Sequence, residues 1–133
     1  MENAELARRA LERVCSGAGL DAAARYYSPS FVDHVNGRDY LGVQGAEESV
    51  AMYRRLIEDM SIRVAQQVIE DDVVTSRFTV SGRIYGRAVQ FGGITISRFE
   101  NGKIAEDWSV TDTVSMLRQI GLIRSLMLIL RRP

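Results

Sequence analysis

Two side chains in this sequence combine proton-transfer chemistry with a spacing that needs explaining. Asp112 follows Ile104-Ala105-Glu106-Asp107-Trp108-Ser109-Val110-Thr111, and on an extended chain it shares one face with Ile104, Trp108 and Val110. A carboxyl group on such an apolar face is desolvated, which raises its pKa and makes it a useful acid or base near neutral pH. The plainer reading carries equal weight: Asp is a favoured N-cap, and a helix is expected from Val114. His34 is the only histidine, and its ordinary pKa lies near physiological pH. Paired with Asp112 across a ligand it would move protons at opposite sides; alone it would fill space and hydrogen-bond locally. Its neighbour Asp33 reads as a turn cap.

The other candidates are walls and partners. Arg77 alternates with Thr75 and Thr79 on a polar strand face, so it meets either solvent or, facing a pocket, an oxyanion. Trp108 and Val110, with Tyr27 and Tyr53, offer surface for a flat hydrophobic ligand, although aromatic residues at such spacing equally build a core. No metal site is expected, because one His and one Cys do not make three or four ligands. Gly92-Gly93 is followed by neither Lys-Ser nor a helix start, and paired glycines inside a strand point to a bulge or sharp bend. A Ser76-His34-Asp112 triad lacks the glycine-framed turn that would present its nucleophile.

The elements that must hold these groups follow from periodicity. Leu6, Ala7, Ala10, Leu11 and Val14 predict a helix over residues 3–16, and a short second helix runs from Asp21 to Tyr27, stopped by Ser28-Pro29-Ser30. Phe31 to Val35 reads as a brief structured segment, followed by loop around Asn36-Gly37 and Leu41-Gly42. Ala46, Val50, Tyr53 and Ile57 mark a third helix. Strands are predicted around 62–69, over 73–83, over 87–100 and over 103–111, with a hairpin at Asn101-Gly102. Helical residues return from Val114 to Gly121. Helices first and an antiparallel meander afterwards predict an α+β domain over residues 1–122. Residues 123–133 form an apolar and basic tail, too short to span a bilayer, expected to cover a cavity mouth or a dimer partner.

The 133 residues fit one domain, with 17 Lys and Arg against 17 Asp and Glu, so neither nucleic acid nor an electrostatic membrane anchor is implied. The lone Cys15 and the absence of a signal-like N-terminal run make the cytoplasm the expected location.

The order of Tyr27-Ser28-Pro29-Ser30-Phe31-Val32-Asp33-His34, then Asp71 to Gly82, Gly93 to Phe99, Asn101 to Trp108 with Asp112, and Leu117 to Leu122 resembles the SnoaL-like polyketide cyclases of the nuclear transport factor 2-like superfamily. The resemblance implies a cone-shaped, curved antiparallel sheet covered by three N-terminal helices, an apolar cavity and a homodimer formed through the outer sheet face. It also implies a cofactor-free aldol cyclisation with Asp112 as base and then acid, His34 and Arg77 polarising. Departures are specific: Ile84 stands where many relatives have a second histidine, and the acids of limonene epoxide hydrolases are replaced by Thr79 and Val110. Two readings follow. The first is an acid/base enzyme acting on a hydrophobic, polyketide-like or polycyclic carbonyl compound by cyclisation or isomerisation. The second is a non-catalytic small-molecule-binding or dimerisation module in which Asp112 only caps a helix.

Overall fold

A computed structural model describes residues 2–17 and 20–131. The first apolar stripe folds as α1 (Asn3–Arg9), whose chain runs on through a wider π-type turn at Ala10–Val14. That turn buries Ala10, Leu11 and Val14 together. A single 3-10 turn leads into the short α2 (Ala23–Tyr26), and α3 (Gly42–Leu56) buries Gly45, Ala46, Ser49 and Val50 at helical spacing. Gly45 is obligatory there, since a Cβ would lie 2.7 Å from the Tyr40 carbonyl carbon.

Six strands form one curved, unclosed sheet in the order β2-β1-β6-β5-β4-β3. They are β1 (Tyr27–Val35), β2 (Arg38–Leu41), β3 (Glu58–Glu70), β4 (Val73–Ile84), β5 (Arg87–Glu100) and β6 (Lys103–Thr111). The expected meander is β3 to β6. Around β1 and β2 the sheet differs from expectation in two ways. The loop at Asn36-Gly37 is a tight hairpin turn, both residues having positive φ (49° and 82°), and it creates β2. The sheet is also mixed, because β1 runs parallel to β6.

The concave face packs on α1, α2 and α3. Val74, Phe78, Val80, Val89, Phe91 and Phe99 point inward at period two, while Arg77, Ile94 and Ile96 point out. Gly92-Gly93 forms no bulge: Thr79 pairs with Gly92 and Phe78 with Gly93 in unbroken register. Gly93 instead makes room, since a Cβ there would come within 2.5 Å of the Phe78 ring. Beyond β6, α4 (Thr113–Ile120) anchors Met116 and Ile120 in the core. The expected tail folds as a further helix, α5 (Leu122–Leu130).

Candidate active site

Between the helices and the inner sheet face lies a cavity of about 70 Å³. Its walls are mainly apolar, from Leu11, Val50, Met60, Ile62, Phe78 and Val80, with Tyr27 and Tyr53 also lining it. Two carboxyl groups interrupt this lining, Asp33 on β1 and Asp107 on β6. They are paired residues on adjacent parallel strands, so their side chains rise from the same side of the ladder.

Local sequence explains each. In Phe31-Val32-Asp33-His34-Val35 the residues Phe31, Asp33 and Val35 are buried, the alternation of a strand with one face in the core. On β6 the phase depends on one residue. Arg98 pairs with Glu106 but Phe99 pairs with Ile104, which leaves Ala105 as an extra residue, a β-bulge. Past the bulge the faces are exchanged relative to simple alternation from Ile104. Asp107, Ser109 and Thr111 line the cavity, and Trp108 and Val110 stand outside with 41% and 61% of their surface exposed.

Both acids are held out of water. Burial pushes Asp107 up to about 8, with the charge of Asp33 adding to the rise and a hydrogen bond from Ser97 opposing it. Burial likewise lifts Asp33 to about 6, opposed by a hydrogen bond from Ser49 and by the charge of His34. Oδ1 of Asp107 is fully buried and has no hydrogen-bond partner among the described residues. A buried acceptor left unpaired is costly, and such atoms in native folds call for a reason. Around the pair the cavity carries hydroxyls: Thr95 Oγ1 and Ser109 Oγ are 2.7 Å apart, and the Tyr53 hydroxyl accepts from Asn36 Nδ2 at 3.1 Å. Cys15, 3.7 Å from the Tyr27 hydroxyl, is pushed by burial up to about 12 and is therefore a thiol, not a nucleophile.

The residues singled out from sequence are placed as follows. Tyr27 and Tyr53 line the cavity. Asp112 does not: it is exposed and caps α4, its Oδ1 accepting from Ser115 N at 3.0 Å. His34 lies on the outer face, between Asp39 Oδ1 and Glu106 Oε2 at 2.7 Å each, with its ring stacked on Trp108 at 5.6 Å. Arg77 is exposed on the outer face and donates to Gln66. The structure thus brings neither Asp112, His34, Trp108, Val110 nor Arg77 to the cavity. The acids it does bring there are Asp33, which is no turn cap but a buried strand residue in register with Phe31 and Val35, and Asp107, which the sequence reading does not single out. No group of His, Cys, Asp and Glu suited to a metal ion occurs among the described residues.

The chain belongs to the SnoaL-like polyketide cyclase family, whose pattern it matches over residues 5–120. Solved structures share the fold. The candidate polyketide cyclase IdmH of Streptomyces antibioticus is 20% identical, with a TM-score of 0.80 over 92% of this chain and 100% of that one. A candidate SnoaL-like polyketide cyclase from Jannaschia sp. CCS1 is 18% identical, with a TM-score of 0.79 over 89% and 90%. A protein of ketosteroid isomerase-like fold from Catenulispora acidiphila, solved with trimethylamine, is 21% identical, with a TM-score of 0.77 over 89% and 93%. No curated protein matches the chain in sequence.

Proposed function

We propose that this SnoaL-like protein is a cofactor-independent acid/base enzyme whose working groups are Asp33 and Asp107. The observation that carries the reading is the pairing of two buried carboxyls on one cavity wall, one with an oxygen that no group among the described residues satisfies. Two such groups titrate as a pair, with one proton between them over the interval from about 6 to about 8. Near neutral pH the pair therefore offers a base and an acid at once. Asp33, the more acidic, takes a proton from the carbon next to a carbonyl. Asp107, still protonated, donates a hydrogen bond to the carbonyl oxygen as negative charge develops there. The enolate so formed can be reprotonated elsewhere, an isomerisation, or can attack a second carbonyl of the same molecule, an aldol cyclisation.

The dimensions bear on the substrate. A cavity of about 70 Å³ is smaller than the ~300–1,000 Å³ typical of drug-sized ligands, so a polycyclic carbonyl compound would insert its reacting end or widen the site. The apolar wall selects a hydrophobic compound. On the opposite sheet face the exposed strip of Ile94, Ile96, Trp108 and Val110 is the surface we assign to a second copy, in a homodimer.

The test is deuterium exchange at the α-carbon of small ketones and 1,3-diketones in heavy water, followed by NMR. Exchange accelerated by the wild type, lost in Asp33→Asn and kept in Asp112→Asn is the expected result. Exchange that survives Asp33→Asn, or ligand binding with no exchange for any ketone, would sink the reading and leave a binding module.

A further inference from the structure

We propose that α5 is a docking helix for the surface of an anionic lipid bilayer. The helix is amphipathic in the inverted sense. At 100° per residue Ile129, Leu122, Leu126, Leu130, Ile123 and Met127 occupy one continuous arc of about 160°, and all of them are exposed, Leu130 by 82% and Leu122 by 77%. The opposite side, which faces the protein, carries Ser125, Arg124 and Leu128. Ordinary helices of soluble proteins do the reverse.

This orientation is fixed rather than accidental. Ser125 is buried, and its hydroxyl donates to the carbonyls of Leu117 at 2.9 Å and Gly121 at 2.7 Å. Leu128 packs against the cluster formed by Met116, Ile120 and Ile84. At the C-terminal end the Arg131 guanidinium stands 5.8 Å from the centre of the Tyr85 ring. A serine that caps carbonyls on the inner side and leucines on the outer side leave the apolar arc with no partner in its own fold.

Charge identifies the partner. From Thr113 to Pro133 the sequence has no acidic residue and four arginines, Arg118, Arg124, Arg131 and Arg132. The remaining chain therefore holds thirteen basic residues against seventeen acidic ones, a net charge of −4 facing a +4 tail. A bilayer with anionic headgroups attracts the tail, repels the body and so sets the orientation of docking. Two copies meeting arc to arc would instead bring like charges together. The helix Leu122–Leu130 is about 14 Å long, less than half of a ~30 Å hydrocarbon core, so it lies in the interface and does not cross. Among the described residues no helix is long and apolar enough to cross a membrane.

The experiment is flotation of the full chain with vesicles of phosphatidylcholine alone and of phosphatidylcholine mixed with phosphatidylglycerol, at low and high salt. The expected result is binding to the mixed vesicles only, weakened by salt. Arg124→Gln and Arg131→Gln should each lower partitioning about fivefold. The double variant Ile123→Glu, Leu126→Glu changes two exposed positions, keeps the circular dichroism of the wild type and should lower partitioning at least tenfold. Absence of wild-type binding overturns the proposal. So does binding that is equal on neutral vesicles, or that the double variant retains. Loss of a dimer in the double variant without any vesicle binding also overturns it and gives the arc to a second copy.

Discussion

The two faces of the β1–β6 ladder differ by one residue and by the whole of their chemistry. Inside, Asp33 and Asp107 are paired, buried and pushed up to about 6 and about 8. Outside, the next pair along is His34 and Trp108, stacked, with Glu106 and Asp39 on the imidazole nitrogens. There the hydrogen bond with His34 holds Glu106 below the usual carboxylate range, and those with Glu106 and Asp39 raise His34. Acids adjacent in sequence are moved in opposite directions, since water and a cationic partner favour the charged form and burial disfavours it. Residue type alone is a poor guide to role; the face of the strand decides it.

The sharpest way to break this contrast is to remove the inner base. Asp33→Asn should cut α-proton exchange by about 10²–10⁴-fold, the usual worth of general acid–base catalysis, while His34→Gln leaves it unchanged. Equal losses in both would end the division between faces. With the wild type, exchange should follow a bell with limbs near pH 6 and pH 8, the values of the coupled pair.

Stability gives the next largest effect. Both inner acids lie above the 3.8 of a free Asp, so the folded chain keeps protons that the unfolded chain has released, and stability falls as pH rises through the window from 3.8 to about 8. Between pH 6 and 8 the loss should be about 1.4 kcal/mol per pH unit, one proton's worth. Asp107→Asn should flatten that interval in urea titrations. A wild type whose stability is level there would mean that Asp107 is ionised in the fold.

On the outer face, the proposed homodimer predicts a wild type of twice the chain mass in analytical ultracentrifugation and a folded monomer for Ile94→Lys with Val110→Lys. A monomeric wild type, or a variant that keeps the doubled mass, would overturn the assignment of this strip to a second copy. The smallest effect belongs to the cap. Asp112→Ala should cost about 1 kcal/mol of stability and none of the turnover; a collapse of turnover would return Asp112 to the reaction.

How far these faces were legible depends on where alternation is regular. The β4–β5 hairpin follows its apolar pattern without a shift, and Val74, Phe78 and Val80 fall inside as their spacing requires. Asn101-Gly102 reads as a hairpin turn because apolar strands flank it, whereas Asn36-Gly37, the same dipeptide with positive φ at both positions, precedes a strand of only four residues, none of them buried, and so reads as loop. The inversion of β6 had no such marker. Ala105 carries no glycine or proline to announce a bulge, and one extra residue exchanged Asp107 for Trp108 and Thr111 for Asp112 on the cavity side. Parallel pairing of β1 with β6 is likewise a property of the assembled sheet and not of either strand's sequence.

That parallel pairing also orders events in time. The β3–β4–β5–β6 meander is made of neighbouring hairpins, whereas β1 reaches β6 across a long stretch of chain: His34 and Glu106, which bond across it, are 72 positions apart. Closing so long a loop carries an entropic cost that local hairpins do not bear, and contacts of this span form late. The two carboxyls are therefore strangers until the sheet around them exists, and the cost of burying them falls on the seam that closes last. Amide hydrogens of β1 should exchange before those of β4 and β5, which would make the birthplace of the site its first point of opening.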